Sequence, residues 1–193
     1  TGRWQSDARQ IVLSPIQLKG QLRQQPIRAD GRLNVAFTPP KSTALAKIQP
    51  ISWLPERFEA QDLHLVWGGN QLTANGNKQQ MHLLVDAPAL QQIHPDLSGR
   101  VAGQVDLTGQ LQAPDARVDL SVNGLKFKQM SLAQGQLRGQ LLQLGRQPSQ
   151  LLLELKDFKQ GTQQIEQAAL RFAGTRQAHV LKAEVSSKGN QLA

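Results

Sequence analysis

Four histidines, His64, His82, His94 and His179, are the side chains of this 193-residue sequence best suited to hold a metal or move a proton. A zinc hydrolase places two such rings four residues apart on one helix face, or fixes each ring with a carboxylate. No pair here has that spacing. His64 and His82 occupy polar positions between Leu63 and Leu65 and beside Met81 and Leu83, His94 precedes Pro95, and His179 lies in another alternating run. They read as solvated strand histidines, and no metal site is expected. Asp106, Asp115 and Asp119 form the densest acidic stretch, but a calcium loop gathers its oxygens in a tighter window around a bend, and Pro114 intervenes. With no Cys there is neither a thiol nucleophile nor a disulfide. The sequence also lacks a Gly-x-Ser-x-Gly elbow and a glycine-rich phosphate loop. No catalytic residue and no cofactor is assigned, and an enzyme is not expected.

Charge narrows the partners further. Lys and Arg total 22 against 14 Asp and Glu, for a net charge of +8. Residues 1–60, 61–120 and 121–193 carry +5, −3 and +6. The basic residues are dispersed, as in Lys126-Phe127-Lys128. Binders of single-stranded nucleic acid set aromatic platforms beside a basic groove, whereas here aromatics are 4% and Tyr is absent. Nucleic acid is not expected, while a general attraction to anionic surfaces, membranes included, stays open. Apolar runs reach three residues, as in Ile11-Val12-Leu13 and Leu151-Leu152-Leu153, far short of the roughly 20 that span a bilayer. The sequence opens Thr1-Gly2-Arg3-Trp4 without an apolar leader, so it reads as a piece of something larger.

The elements that carry these residues follow a period of two. Gly99, Val101, Gly103, Val105, Leu107, Gly109 and Leu111 alternate with polar residues or Ala102, the pattern of a half-buried strand. The same alternation appears in Leu33, Val35 and Phe37; in Leu63, Leu65 and Trp67; in Met81, Leu83 and Val85; and in Val118, Leu120 and Val122. It continues through Leu125 and Phe127, Leu151, Leu153 and Leu155, Ala168, Leu170 and Phe172, and Leu181, Ala183 and Val185. Between these runs sit turn signals, at Ala29-Asp30-Gly31, Gly68-Gly69-Asn70, Asn75-Gly76-Asn77, Asn123-Gly124, Lys159-Gln160-Gly161 and Lys188-Gly189-Asn190. Asn123-Gly124 suits a tight hairpin. The chain is therefore expected to be all-β, with 14–16 short antiparallel strands. Helix is limited to one or two turns over 88–94, introduced by Asp86 and Pro88 and stopped by Pro95; the proline-rich stretch 39–57 is either a long crossover loop or a loop with a short helix around 43–48. Gly69-Asn70-Gln71-Leu72 recurs at Gly189-Asn190-Gln191-Leu192 as an internal echo.

What remains is the apolar face. Leu and Gln each occur 29 times, so the apolar surface is aliphatic and thinly spread. In a sandwich two such faces cover each other about 10 Å apart. The other arrangement is one long sheet whose apolar face stays open to bind something apolar, since a large exposed apolar patch marks a binding surface. GxxxG pairs at Gly99/Gly103 and Gly135/Gly139 sit in strands, where glycine serves bending or close approach rather than helix dimerisation.

One ordered set of residues narrows this choice. Leu65-Val66-Trp67-Gly68, Asn70-Gln71-Leu72 and Asn75-Gly76 are followed by Pro88-Ala89-Leu90 and Pro95-Asp96-Leu97-Ser98-Gly99. Gly103-Gln104-Val105-Asp106-Leu107-Thr108-Gly109, Gln112-Ala113-Pro114 and Asn123-Gly124-Leu125 complete it. This series resembles the interior of the TamB family, within the AsmA-like, bridge-like lipid transport group, over about 60–193; residues 1–60 resemble it in texture alone. The resemblance implies an elongated antiparallel sheet curled into a taco-like open groove with an apolar concave face, of which 1–193 is one section with a joint near 86–98. It implies a periplasmic protein anchored in the inner membrane, carrying phospholipid acyl chains to the outer membrane alongside an Omp85-type barrel, TamA, and supporting outer-membrane biogenesis and autotransporter secretion. The anchor and the C-terminal domain of the family are not recognisable here. Groove lining falls to Leu33, Val35, Phe37, Leu63, Leu65, Trp67, Met81, Leu83, Val85, Val101, Val105, Leu107, Leu111, Val118, Leu120, Val122, Leu151, Leu153, Leu155, Leu170, Phe172, Leu181 and Val185. Two alternatives stay open: a chaperone-like scaffold for unfolded outer-membrane strands, and a stand-alone sandwich.

Overall fold

Alternating sequence without helix signals builds a meander. The computed structural model describes residues 4–5, 10–36, 57–77, 79–110 and 113–187. These form one antiparallel sheet whose strand order is the chain order. A two-residue β1 (Trp4–Gln5) precedes β2 (Gln10–Leu22), β3 (Gln25–Ala36), β4 (Arg57–Trp67), β5 (Asn70–Asn77) and β6 (Gln80–Ala87). Then come β7 (Leu97–Gln110), β8 (Ala113–Phe127), β9 (Met130–Leu141), β10 (Ser149–Gln160), β11 (Gln163–Gly174) and β12 (His179–Ser186). At a spacing of roughly 4.8 Å, twelve strands extend about 50 Å.

Twelve strands among the described residues, rather than 14–16, reflect strands longer than the alternation suggests. Asn123-Gly124 is no hairpin. It lies inside the 15-residue β8, with Gly124 at φ +61. Opposite it, the register shifts between Ser98 and Arg100, so the positive φ absorbs a bulge. Ala29-Asp30-Gly31 and Asn75-Gly76 likewise lie within β3 and β5. The β2–β3 turn is made instead by Arg23 and Gln24, at φ +53 and +63, the backbone of a primed two-residue hairpin turn carried by non-glycine residues. The turns at Gly68-Gly69 and after Gln160 stand where expected. Pro15, which cannot donate to a ladder, sits at the register shift between Leu13 and Ile16.

Of the expected helical turns, a 3-10 turn at Leu90–Gln92 falls within 88–94, but Asp86 does not cap it. The N-cap is Ala89, and the Asp86 carboxylate pairs with Arg100 at 2.9 Å. A second 3-10 turn, Leu142–Gly145, joins β9 to β10. The 39–57 crossover, read as a long loop or a loop with a short helix around 43–48, lies outside the described residues except for Arg57, the first residue of β4, as does the echo at 189–192.

The sheet is neither closed nor strongly curled, which corrects the taco-like curl expected for this section. Curl requires bends repeated at the same level across many strands. Here the register shifts occur in the β2–β5 pairings and again between β7 and β8, and the pairings from β8 to β12 have none. No second sheet covers the first among the described residues, so the stand-alone sandwich is not the architecture. Burial has the signature of a single layer: among the described residues, the buried apolar ones are Val35, Ala60, Ala74, Met81, Ala87, Leu90, Ala116 and Leu132. Small side chains disappear beneath their lateral neighbours while most Leu and Val stay part exposed. Among the described residues one buried apolar cluster, Ala60, Ala74 and Met81, is flanked by Leu33, Leu63, Leu83 and Leu107.

Candidate functional site

Residues directly opposite in an antiparallel pair share a face, so the registers define rows that cross the sheet. One row runs Leu18, Ala29, Leu65, Leu72, Val85, Gly103, Leu120, Leu137, Leu153, Leu170 and Ala183, from β2 to β12 without a polar residue. Beside it lies Leu63, Ala74, Leu83, Val105, Val118, Gly139, Leu151, Phe172 and Leu181. A third row joins Leu33, Ala60, Gly76, Met81, Leu107, Ala116 and Leu141. On the other flank, Val101 faces Val122, which faces Gly135, then Leu155, Ala168 and Val185.

The alternating positions named from sequence thus converge on one face, from Val35 near one end to Val185 on β12. Phe37 and Leu111 lie outside the described residues. Sequence reading passed over Leu18, Leu72, Leu132 and Leu137. Leu137 connects Leu120 to Leu153, but its strand, β9, has glycine at apolar-row positions 135 and 139, so no alternation is visible there. At Gly139 (φ +141), a Cβ would collide with the Gln150 carbonyl oxygen; Gly103 (φ +146) stands in the same relation to Asp119. Glycine at these two points lets neighbouring strands approach closely, as its place in the GxxxG pairs suggested. Leu132 breaks the parity of its strand yet joins the apolar face: its methyl group lies 2.9 Å from where a Cβ on Gly135 would sit, next to Leu155 and Val122. The left-handed residues Gly124 and Asp157 (φ +61 and +51) on the adjacent strands mark where the alternation is re-phased.

This face is most exposed near its two ends, with Leu18 on β2 at 51%, and most buried around β4 to β6. Met81 is 6% exposed, Leu170 37%, Leu181 57% and Val185 58%. Every residue of β12 is exposed.

The opposite face is polar, and two of the four histidines and several acidic residues form cross-strand pairs there. Nδ1 of His82 lies 2.5 Å from Oδ1 of Asp106, its directly opposite neighbour. His64 and Asp30 stand 3.8 Å apart, as do Arg138 and Asp119. These partners are far apart in sequence, so spacing alone could not reveal them. Among the described residues no group of three His, Asp or Glu is placed to hold a metal, and no helix is long and apolar enough to cross a membrane.

One rim of the sheet is stapled by the loop between β6 and β7. Asn70 is buried; its Nδ2 donates to the carbonyls of Trp67 (3.1 Å) and Ala89 (3.0 Å), and its Oδ1 accepts from Ala89 N (3.0 Å). Oε1 of Gln92 accepts from Gly69 N at 2.5 Å, Arg23 donates to the Ile93 carbonyl at 2.9 Å, and His94 meets the Phe127 ring edge-on. Leu90, in the turn that this staple holds, is buried.

A single-layer sheet with a continuous aliphatic face has no groups for bond chemistry but offers a long one-sided contact for apolar matter. A family model described as "TamB, N-terminal domain" matches residues 1–193, including 1–60. Among curated proteins, the "Translocation and assembly module subunit TamB" of Haemophilus influenzae is 32% identical over 83 residues, covering 42% of this chain and 6% of that protein. The chain thus matches a small part of that relative's length. No solved structure matches.

Proposed function

The chain belongs to the TamB N-terminal domain family, and from that premise we propose that it is a periplasmic section of a bridge-like protein, anchored in the inner membrane, that carries phospholipid acyl chains toward the outer membrane. The observation that supports this reading most is the apolar row unbroken from Leu18 to Ala183. An acyl chain laid across such a row loses water on one side. That is roughly half of the ~0.8 kcal/mol that full burial of each CH2 contributes, enough to hold a chain while letting it slide. The face asks for no polar partner, so passage from one strand to the next meets no specific barrier. In this reading it is one wall of the family's groove, with head groups toward the strand ends. The relative's name describes a module subunit, not a catalyst, in keeping with the lack of a catalytic motif. Its partner is then the Omp85-type barrel TamA, engaged by other parts of the full-length protein.

The test is to purify the chain without detergent, weigh it by native mass spectrometry and identify extracted lipid. Phospholipid bound to the wild type and lost in Val105→Glu, Leu120→Glu and Leu153→Glu is the expected result. A lipid-free chain that also ignores an uncharged apolar dye sinks the proposal.

A second reading, a scaffold for assembling outer-membrane β-barrels and autotransporters, is favoured by β12. Its side chains are exposed, and its described pairing is to β11 alone, the geometry that strand addition uses. In that case strand peptides outcompete lipid.

A further inference from the structure

At the rim opposite the stapled loop, two connections meet. The loop 142–148 between β9 and β10 touches the turn 175–178 between β11 and β12, with Arg176 N donating to the Gly145 carbonyl at 2.7 Å. Between them is an open cleft of about 410 Å³ lined by Gly145, Arg146, Thr175, Arg176 and Gln177. The frame is fixed. Ser149 has no exposed surface; its Oγ accepts from Leu142 N at 2.9 Å and donates to the Gln147 carbonyl at 2.8 Å. The Asp115 carboxylate accepts from Gln143 N at 2.7 Å. Across the cleft, Thr175 Oγ1 accepts from Ala178 N at 3.1 Å. The loop also carries strain, since Gln143 and Leu144 are both left-handed at φ +49 and +52, a costly conformation that collects at functional positions. Gly145 leaves room for Arg176, whose Cγ lies 2.9 Å from where a Cβ would stand.

Charge completes the case. Neither Arg146 nor Arg176 joins any ion pair among the described residues, and no carboxylate lines the cleft. Two guanidiniums with free donors on a rigid frame match the oxygens of a phosphate, which arginine's planar fork binds in bidentate fashion. The surroundings are amphipathic: Leu144 is 40% exposed at the loop tip, and Phe172 stacks on His179 at 5.2 Å where the apolar rows end.

We propose that this cleft is a phosphate-binding subsite that takes the phosphate of an amphiphile whose apolar part lies on the sheet face. The lipid source rests on the acyl-chain reading above; the phosphate chemistry does not. The test titrates the 193-residue chain with dihexanoyl phosphatidylglycerol below its micelle concentration, with inorganic phosphate, and with an uncharged apolar dye. Arg146→Gln with Arg176→Gln is expected to weaken the short-chain phospholipid at least about tenfold while dye binding and circular dichroism stay as in the wild type. Lysine at both positions restores part of the loss, having charge without the fork. Arginine-dependent phosphate binding as tight as the phospholipid's assigns the subsite to a soluble phosphate and removes the lipid. Arginine-dependent phosphate binding by a wild type that ignores the dye keeps the subsite and defeats the acyl-chain reading alone. Equal affinities in wild type and glutamine variant overturn the proposal.

Discussion

Placing a carboxylate at Leu120 measures whether anything covers the apolar face. Leu120 is half-buried, flanked in its row by Gly103 and Leu137. Full burial of a leucine contributes about 1.5–3 kcal/mol, so giving up the leucine side chain at a half-buried site costs roughly 1–1.5 kcal/mol. Glutamate's poorer fit to a strand adds a few tenths, on a scale that spans about 1 kcal/mol. Because one side of the layer is open, the new carboxylate reaches water and avoids the 3–5 kcal/mol that an uncompensated buried charge costs. Leu120→Glu is therefore expected to lose about 1–2 kcal/mol, and the chain stays folded. Ala60→Glu is the contrast. Ala60 has no exposed surface and packs with Met81 and Leu33, so the same charge there is expected to cost about 4 kcal/mol or more. Urea titrations followed by circular dichroism, with the two midpoints compared at a common slope, read the difference. If Leu120→Glu falls as far as Ala60→Glu, the face is covered and the single-layer reasoning is wrong.

Other outcomes follow from the same geometry. Gly103→Ala sets a Cβ against the Asp119 carbonyl at φ +146, whereas Gly161→Ala, at φ +58, meets nothing within 4 Å. The first is expected to lose about 3 kcal/mol and the second about 1 kcal/mol, read as urea midpoints. Asn70→Ala strands the polar groups of a buried staple and should lower stability by about 2–3 kcal/mol, with amide exchange rising first at Ala89. His82→Ala removes a pair whose side chains are 47% and 38% exposed. Its effect on thermal midpoint should correspond to less than about 1 kcal/mol; a larger loss would make the pair a structural element of the polar face.

The face was legible in sequence because a period of two is a local property: Val101 to Leu107 and Leu151 to Leu155 declare their side without reference to any partner. What could not be read was how strands align. Asn-Gly is the strongest short-range turn signal, yet at 123–124 it serves a bulge. Arg23 and Gln24, which carry no turn signal, make the hairpin because the pairing of β2 with β3 imposes it. The Arg146 and Arg176 cleft was equally hidden, since it joins two loops thirty residues apart through a backbone hydrogen bond. Curl belongs to the same class: it depends on where bulges recur across strands, which composition does not encode.

The order of strands along the chain has its own consequence. Because every strand pairs with its predecessor and successor, the molecule behaves as a one-dimensional lattice whose energy is a sum over neighbouring ladders. Contacts are short in sequence, so assembly can begin at any hairpin and propagate in both directions without waiting for a distant segment. A two-strand unit inserted or removed between turns leaves every other ladder in register and changes the span by about 10 Å. Length is then a free variable of the architecture, set by counting hairpins rather than by redesigning a core.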